Sequence, residues 1–423
     1  MIAAEWIKGT LPRSWSVVRL RDHVIVINGY PFDSQLFSVD TGIPLVRIRD
    51  IASQETEVRY AGDIVPEALL SGGEILIGMD GDFNVARWKG AEALLNQRVC
   101  SVRPTRTVDA RFLFYVLPAP LELINEFTYS TTVKHLSSFD VLKIRIPFPP
   151  LREQCAIADY LDRETARLDA LVAAKERVIG LLAEKRRSLI TRAVTRGLDP
   201  RAPLRDSGIP WLGEIPAHWD AIPLIWLTQP DRPIMYGIVL PGPDVGEGIP
   251  ILKGGNVRPS RMYLESLART TPEIEAPYAR ARLRASDLVY SIRGSICDCE
   301  IVPSELEDCN ITQDVARVAP RSDVDAAWLR YALVCTPIRE ALAAGSLGAA
   351  VRGINICDLK RVRIPTPPPG EQALLVVHLT KTLTRMGMLA QATEQTIALI
   401  KERRAALIAA AVTGQIEIPE AIA

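Results

Sequence analysis

Few residues in this chain are spaced for covalent or metal chemistry. Cys297, Asp298 and Cys299 with Cys309 come nearest to a metal-ligand pattern. A closed zinc site wants four Cys or His donors, and no histidine stands nearby to complete the set, so no metal is expected. The four histidines, at 23, 135, 218 and 378, are scattered through the chain and fit structural roles better than an acid-base pair. Nucleotide chemistry has no foothold either. The sequence holds no Gly-x-x-x-x-Gly-Lys-Ser/Thr loop, no strand-linked Gly-x-Gly-x-x-Gly and no Asn/Asp-Pro-Pro-Tyr/Phe tetrapeptide. Gly242, Gly246 and Gly248 lie in a Pro-rich stretch that reads as a turn. The chemistry left to the chain is non-covalent recognition.

Recognition needs elements to hold the recognising groups, and the sequence advertises two. The segment from Pro150 to Gly197 has helical periodicity, and it recurs near the C-terminus at one constant offset without a gap. Ile146-Pro147 falls on Ile364-Pro365, Glu153-Gln154 on Glu371-Gln372, Lys185-Arg186 on Arg403-Arg404, and Ala193-Val194-Thr195 on Ala411-Val412-Thr413. A gapless repeat of this length implies a rigid element whose length matters. Stepping by sevens places Leu161, Leu168, Lys175, Leu182 and Leu189 on one line, and Leu379, Met386, Thr393, Ile400 and Leu407 on its counterpart. Ile157, Leu171 and Val178 in the first copy, and Leu375 and Leu389 in the second, are expected to thicken these stripes. Two apolar seams of equal length on charged helices predict that the helices pair with each other, antiparallel. Prolines precede both, and Gly197 and Gly414 follow them. At about 1.5 Å per residue, roughly 45 residues give a rod of about 65 to 70 Å, a spacer.

The repeat extends beyond the helices. Leu11-Pro12-Arg13-Ser14-Trp15 returns as Ile215-Pro216-Ala217-His218-Trp219, Ile43 to Arg47 as Ile249 to Lys253, and Asn96-Gln97-Arg98-Val99 as Thr312-Gln313-Asp314-Val315. The stretch 109–117 matches 325–333 as a short helix. The offset drifts in these parts, so the globular regions carry insertions while the helices do not. Short strands and short helices alternate at close intervals without a βαβ rhythm, which predicts an α+β class with two globular units. Arg280, Arg282 and Arg284 read either as a basic strand edge or as partners of Glu273 and Glu275.

Composition bounds the rest. The chain has 423 residues, too many for one core; 48% are hydrophobic, 24% are charged and the formal net charge is zero. Any polyanion must therefore be met by local patches. Seven cysteines without a regular framework fit reduced thiols. No signal peptide or membrane-spanning run is evident, so a cytoplasmic location is expected.

Paired halves built as Trp…Ile-Pro…Trp, a variable region, Ile-Pro-x-Pro-Pro-x-x-Glu-Gln, then Leu161-Asp162-Arg163-Glu164-Thr165-Ala166-Arg167-Leu168-Asp169 and Lys185 to Ile190, resemble the specificity subunit of type I restriction-modification enzymes. The second half keeps Glu371-Gln372 but departs from the Leu-Asp-x-Glu-Thr wording at 380–384. The resemblance implies a target-recognition domain at 1–149, a spacer helix at 150–198, a linker at 199–207, a second recognition domain at 208–367, a second spacer helix at 368–415 and a tail at 416–423. It implies a non-catalytic subunit that reads a split double-stranded DNA site, one half per domain. Its helices would dock two modification (methyltransferase) subunits, joined by restriction subunits. S-adenosylmethionine, ATP and Mg would then sit on those partners and no cofactor on this chain. A nuclease with an unfamiliar site and a two-lobed protein scaffold remain the alternatives.

On that reading the DNA-binding candidates are Arg47, Arg49, Asn84, Arg87 and Lys89 in the first unit. In the second they are Lys253, Asn256, Arg258, Arg261, Arg293 and Ser295. Arg and Lys can meet phosphates, and Arg and Asn can bond base edges in pairs. Each of these residues could equally be a solvated surface charge.

Overall fold

The computed structural model describes residues 5–7, 9–53, 55–127, 134–294, 296–344 and 353–418. The chain forms two compact units: unit 1 is Met1–Glu176 with Glu394–Ala423, and unit 2 is Arg177–Thr393. These units do not follow the linear boundaries read from the sequence, because each takes half of each long helix. The stretch 199–207 is not a bare linker: Leu204–Asp206 pairs as a strand with Glu214–Pro216.

Unit 1 is built on an antiparallel sheet in the order Val24–Asn28, Val99–Pro104, Ile75–Gly78, Val85–Arg87. Ile75–Gly78 is buried throughout, as expected of a central strand covered on both faces. One face carries helices α1 (Ala110–Val116), α2 (Pro118–Phe127) and α3 (Ser138–Lys143); the other meets a small sheet in which Ile43–Val46 runs parallel to Ala93–Leu95. Asp109 caps α1 by accepting from the Arg111 and Phe112 N–H groups, and Ser137 with Asp140 forms a capping box on α3. The strand Ser16–Arg19 pairs with Arg145–Phe148 and leads into α4, Leu151–Arg196.

Unit 2 repeats this plan. Its main sheet runs Met235–Tyr236, Val315–Val318, Leu288–Ser291, Cys299–Ile301. After α5 (Pro272–Glu275) come α6 (Ala326–Val334), capped by Asp325, then α7 (Thr336–Ala344) and α8 (Ile356–Arg361), capped by Asn355. Asp220–Pro223 pairs with Arg363–Thr366 and leads into α9, Pro369–Val412. The ambiguous arginine stretch resolves here. Residues 276–281 form a 3-10 turn, and the Arg282 guanidinium donates to both oxygens of buried Glu275 at 2.8 and 3.0 Å.

One set of contacts ties each head to the long helices. The Trp15 indole N–H donates to Glu153 at 2.7 Å, and that of Trp219 donates to Glu371 at 2.9 Å. Next to each glutamate, a buried glutamine accepts from the N-cap amide of a short helix earlier in the chain. Gln154 Oε1 takes the Asp109 N–H at 3.0 Å and Gln372 Oε1 takes that of Asp325 at 2.9 Å. Their Nε2 atoms donate to the Pro149 and Pro367 carbonyls, both at 2.9 Å. Each tryptophan also lies against the glycine that ends the other long helix, Trp15 by Gly414 and Trp219 by Gly197. Those glycines have φ of 68° and 73°, the left-handed closure that lets a helix stop. The recurrent Trp, Glu-Gln and terminal Gly are thus one junction.

Within each unit the two long helices run antiparallel. In unit 1, Asp169 pairs with Arg404 at 2.9 Å and Glu176 with Lys401 at 3.7 Å, so number rises on one helix as it falls on the other. Leu161 shares a core with Ala411, Val412 and Leu407, and in unit 2 Ile190, Ala193 and Val194 share one with Leu375, Leu379 and Leu383. Leu168 and Ile400 are buried, and Leu182, Leu189 and Met386 are half-buried. Leu171, Val178 and Leu389, expected in the seam, are exposed. They stand three residues after seam positions, whereas the second seam line runs at four, through Thr165, Val172, Ile179, Leu383 and Ile397. At about 100° per residue, steps of three and four diverge by about 100°, enough to turn a leucine from the seam to solvent. Buried Thr165 and Thr393 bond the carbonyls four residues back at 2.6 and 2.7 Å, so their hydroxyls stay satisfied.

Candidate nucleic-acid interface

The backbone registers of the two main sheets make their positions comparable. Gly78 pairs with Val99 in unit 1 and Ser291 with Val315 in unit 2. The next residues also correspond: the Met79 N–H donates to the Arg98 carbonyl, and the Ile292 N–H to the Asp314 carbonyl. One residue further, Asp80 bridges to His135 and Arg293 to Gly353, just ahead of α3 and α8. Three chain segments therefore converge at the same end of each sheet: the turn after the central strand, the residues entering the next strand, and the lead into a short helix. Gly81 and Gly294 complete the turns at φ of 75° and 71°, with nothing within 4 Å of where a Cβ would stand. The backbone is open there to a large partner.

In unit 1, this junction gathers Asp80, Arg98 and His135. Asp80 is largely covered, its side chain 15% exposed, while Arg98 and His135 are 53% and 60% exposed. The carboxylate pairs with the Arg98 guanidinium and accepts from His135 Nδ1 at 2.7 Å. Burial pushes the Asp80 carboxyl up, but the hydrogen bonds from His135 and Arg98 outweigh it and hold the group below the usual aspartate range. Asp80 is therefore charged, and His135 must donate through Nδ1, leaving Nε2 for another partner. Lys134 alongside is bonded to Asn125.

In unit 2, the same positions carry Arg293 on the turn and Gln313-Asp314 at the strand entry. Arg293 Nη1 donates to Gln313 Oε1 at 3.1 Å. The turn Gly254–Asn256 lies against this junction, for a Cβ on Gly254 would stand 3.0 Å from the Arg293 carbonyl. That turn brings exposed Lys253 and half-buried Asn256 with it, the Asn256 Oδ1 capping Lys253 N at 3.0 Å. Arg258 follows, 3.4 Å from Asp298, and Arg261 reaches the Gly255 carbonyl at 3.4 Å. The structure thus brings Lys253, Asn256, Arg258, Arg261 and Arg293 into one region; Ser295 lies outside the described residues.

The unit 1 candidates are more dispersed. Arg47 and Arg49 flank Ile48, whose side chain lies 3.2 Å from a Cβ position at Gly78, so they belong to the junction region. Arg47, however, is held by Asp50 through Nε at 2.9 Å and Nη2 at 3.1 Å, while Arg49 is exposed and has no ion pair among the described residues. Asn84 is exposed, and its carbonyl accepts from Gly78 N–H beside the junction. Arg87 pairs across from Ile75, five residues before Asp80. At about 3.4 Å per residue that is some 17 Å away, and Lys89 is farther still. Asp80, Arg98, His135 and Gln313 were not singled out from sequence. The signal available was the repeat alignment, which sets Arg98 opposite Asp314.

The buried cysteines offer no competing site. Burial pushes the thiols of Cys100 and Cys335 up to about 12, that of Cys309 to about 11 and that of Cys299 higher. Such thiols stay protonated and ligate metals poorly. Among the described residues, no group of His, Cys, Asp and Glu is arranged to hold a metal, and no helix is long and apolar enough to cross a membrane.

Residues 12–179 match the family model of the type I restriction modification DNA specificity domain. Over 414 residues the chain is 30% identical to the type I restriction enzyme EcoBI specificity subunit of Escherichia coli, covering 95% of this chain and 86% of that one. In fold it resembles a chain of a solved type I R-M system structure concerned with complex assembly and conformational transition (TM-score 0.70, 20% identity, 96% of this chain and 100% of that one). It also resembles the HsdS subunit from Thermoanaerobacter tengcongensis (TM-score 0.52, 19% identity, 97% and 99%).

Proposed function

The chain belongs to the DNA specificity subunits of type I restriction-modification systems, and from that premise we propose how its two units divide the recognition of DNA. Each unit reads one half of a bipartite site, with the junction at the end of its main sheet turned to the duplex. One observation carries this reading. The Trp, Glu-Gln and terminal-Gly contacts recur almost unchanged in both units, whereas the exposed junction side chains differ between them. A common frame with unlike polar tips suits two readers of unlike sequences.

Phosphate contacts from Arg49, Lys253, Arg258 and Arg261 would supply affinity and salt dependence, and the junction side chains would supply sequence. Methyl transfer and cleavage fall to modification and restriction subunits. The paired long helices are the surface on which two modification subunits dock, and S-adenosylmethionine, ATP and Mg belong to those partners. The test replaces residues 11–144 with the matching region of another family member and maps methylated sites on DNA from cells expressing the full system. One half of the recognised site should change and the other should persist. A swap that altered both halves would refute independent reading.

A further inference from the structure

We propose that Arg98 and His135, positioned by Asp80, read base edges for unit 1, and that Arg293 steadied by Gln313 does so for unit 2, the recognising cation arising from opposite segments of equivalent junctions. This assignment rests on the function proposed above. At the paired positions 80/293 and 98/314, unit 1 places acid on the turn and base at the strand entry, and unit 2 places base on the turn and acid at the strand entry. Both cations are exposed at an open glycine turn, and each is held by a hydrogen bond that it donates to an adjacent segment.

The hydrogen-bond inventory decides what each junction can recognise. Asp80 occupies part of the Arg98 fork and the Nδ1–H of His135, so the groups left outward are the remaining guanidinium N–H donors and the imidazole Nε2. In unit 2 the Gln313 carbonyl oxygen is taken by Arg293, which leaves the amide N–H groups beside the remaining guanidinium donors. The Arg293 and Gln313 pair therefore presents donors, suited to the paired acceptors N7 and O6 of guanine, with the Asp314 carboxylate the acceptor at the strand entry. Unit 1 presents donors plus an imidazole nitrogen that, in the neutral ring, accepts. Its half-site should consequently include a position offering a base N–H donor, the exocyclic amine of adenine or cytosine, next to one offering acceptors.

Asp80 is a positioning residue, since it acts through its two neighbours. The full system is expressed with Arg98→Ala, Arg98→Lys, His135→Ala, Asp80→Asn and Arg293→Ala, and methylated sites are mapped on genomic DNA. Arg98→Ala and Asp80→Asn should relax the same one or two positions of one half-site, by roughly five- to a hundredfold in discrimination, and Arg293→Ala should relax the other half. Arg98→Lys should not restore specificity, because an ammonium cannot reproduce a planar fork. Full restoration by Arg98→Lys, or a uniform loss over all sequences, marks a phosphate contact and overturns the assignment. An unchanged map for Arg98→Ala and His135→Ala, while the 11–144 swap still alters one half-site, also overturns it and leaves the proposed function standing. A swap that alters neither half removes both.

Discussion

Replacing Gln154 by Leu tests whether the glutamine, more than the hydrophobic seam around it, fastens the first head to its helix. Gln154 is fully buried and makes two strong contacts, accepting the Asp109 N–H at 3.0 Å and donating to the Pro149 carbonyl at 2.9 Å. Leucine approximates its volume but leaves both backbone groups orphaned. Each such group costs about 1 to 3 kcal/mol, so the local loss should be about 2 to 4 kcal/mol after partial relief by water. Asp109 is the N-cap of α1, whose buried face, Phe112, Leu113 and Val116, packs in the core beneath the main sheet. The damage should therefore appear as local opening of residues 100–116 and 145–160. Hydrogen exchange followed by mass spectrometry suits this better than a single melting curve, because a chain with two units need not unfold in one step. Protection of those peptides should fall by roughly thirty- to several-hundredfold. Gln372→Leu should produce the equivalent loss at 320–334 and 363–378. A fall below about threefold at the expected peptides in both variants would refute the reasoning, since the apolar seam alone would then suffice.

Further outcomes follow from other named contacts. Arg232 and Asp287 form a buried bidentate pair at 2.7 and 2.6 Å, so Arg232→Met should cost about 3 to 5 kcal/mol by stranding the carboxylate. Adding Asp287→Asn, which keeps an acceptor for the Arg284 N–H, should recover part of that loss in thermal melts; a double variant as unstable as the single one would contradict this. The hydrogen bond from Arg282, opposed by burial and aided by Asn310, holds the Glu275 carboxyl below its ordinary value of 4.5. A depressed carboxyl stabilises the fold fully above its unfolded value and loses that contribution as pH falls through its folded value. Glu275→Gln should accordingly flatten the dependence of melting temperature on pH below about 4.5, and identical acid limbs in both proteins would count against it. Cysteines at positions 169 and 404, replacing the ion-paired Asp169 and Arg404, should join through a short bifunctional thiol reagent once the exposed Cys357 is replaced by Ser. Equal joining of 169 to 403, on a different face of the helix, would argue against the antiparallel register.

Much of the architecture was legible in the sequence, because the features that encode it are local or repeated. Helix length follows from unbroken periodicity between prolines and a left-handed glycine, and α4 and α9 span 46 and 44 residues, as the repeat implied. The short helices at 110–116 and 326–334 begin where Asp109 and Asp325 can cap them, again a matter of neighbours in sequence. The seam was half legible. Its line of sevens is a property of one helix, but whether the second line falls at three or four residues depends on how the partner lies, and Leu171, Val178 and Leu389 fell on the wrong side. The same limit governs the proposed recognition surface. Arg47 looks like a free loop arginine until Asp50 is placed against it, and Arg87 looks equivalent to Arg49 until the strand carries it about 17 Å from the junction. Asp80 meets Arg98 across 18 residues of chain and His135 across 55. Composition and spacing are blind to such meetings, because only the folded sheet, by register and turn, decides which distant side chains share a carboxylate.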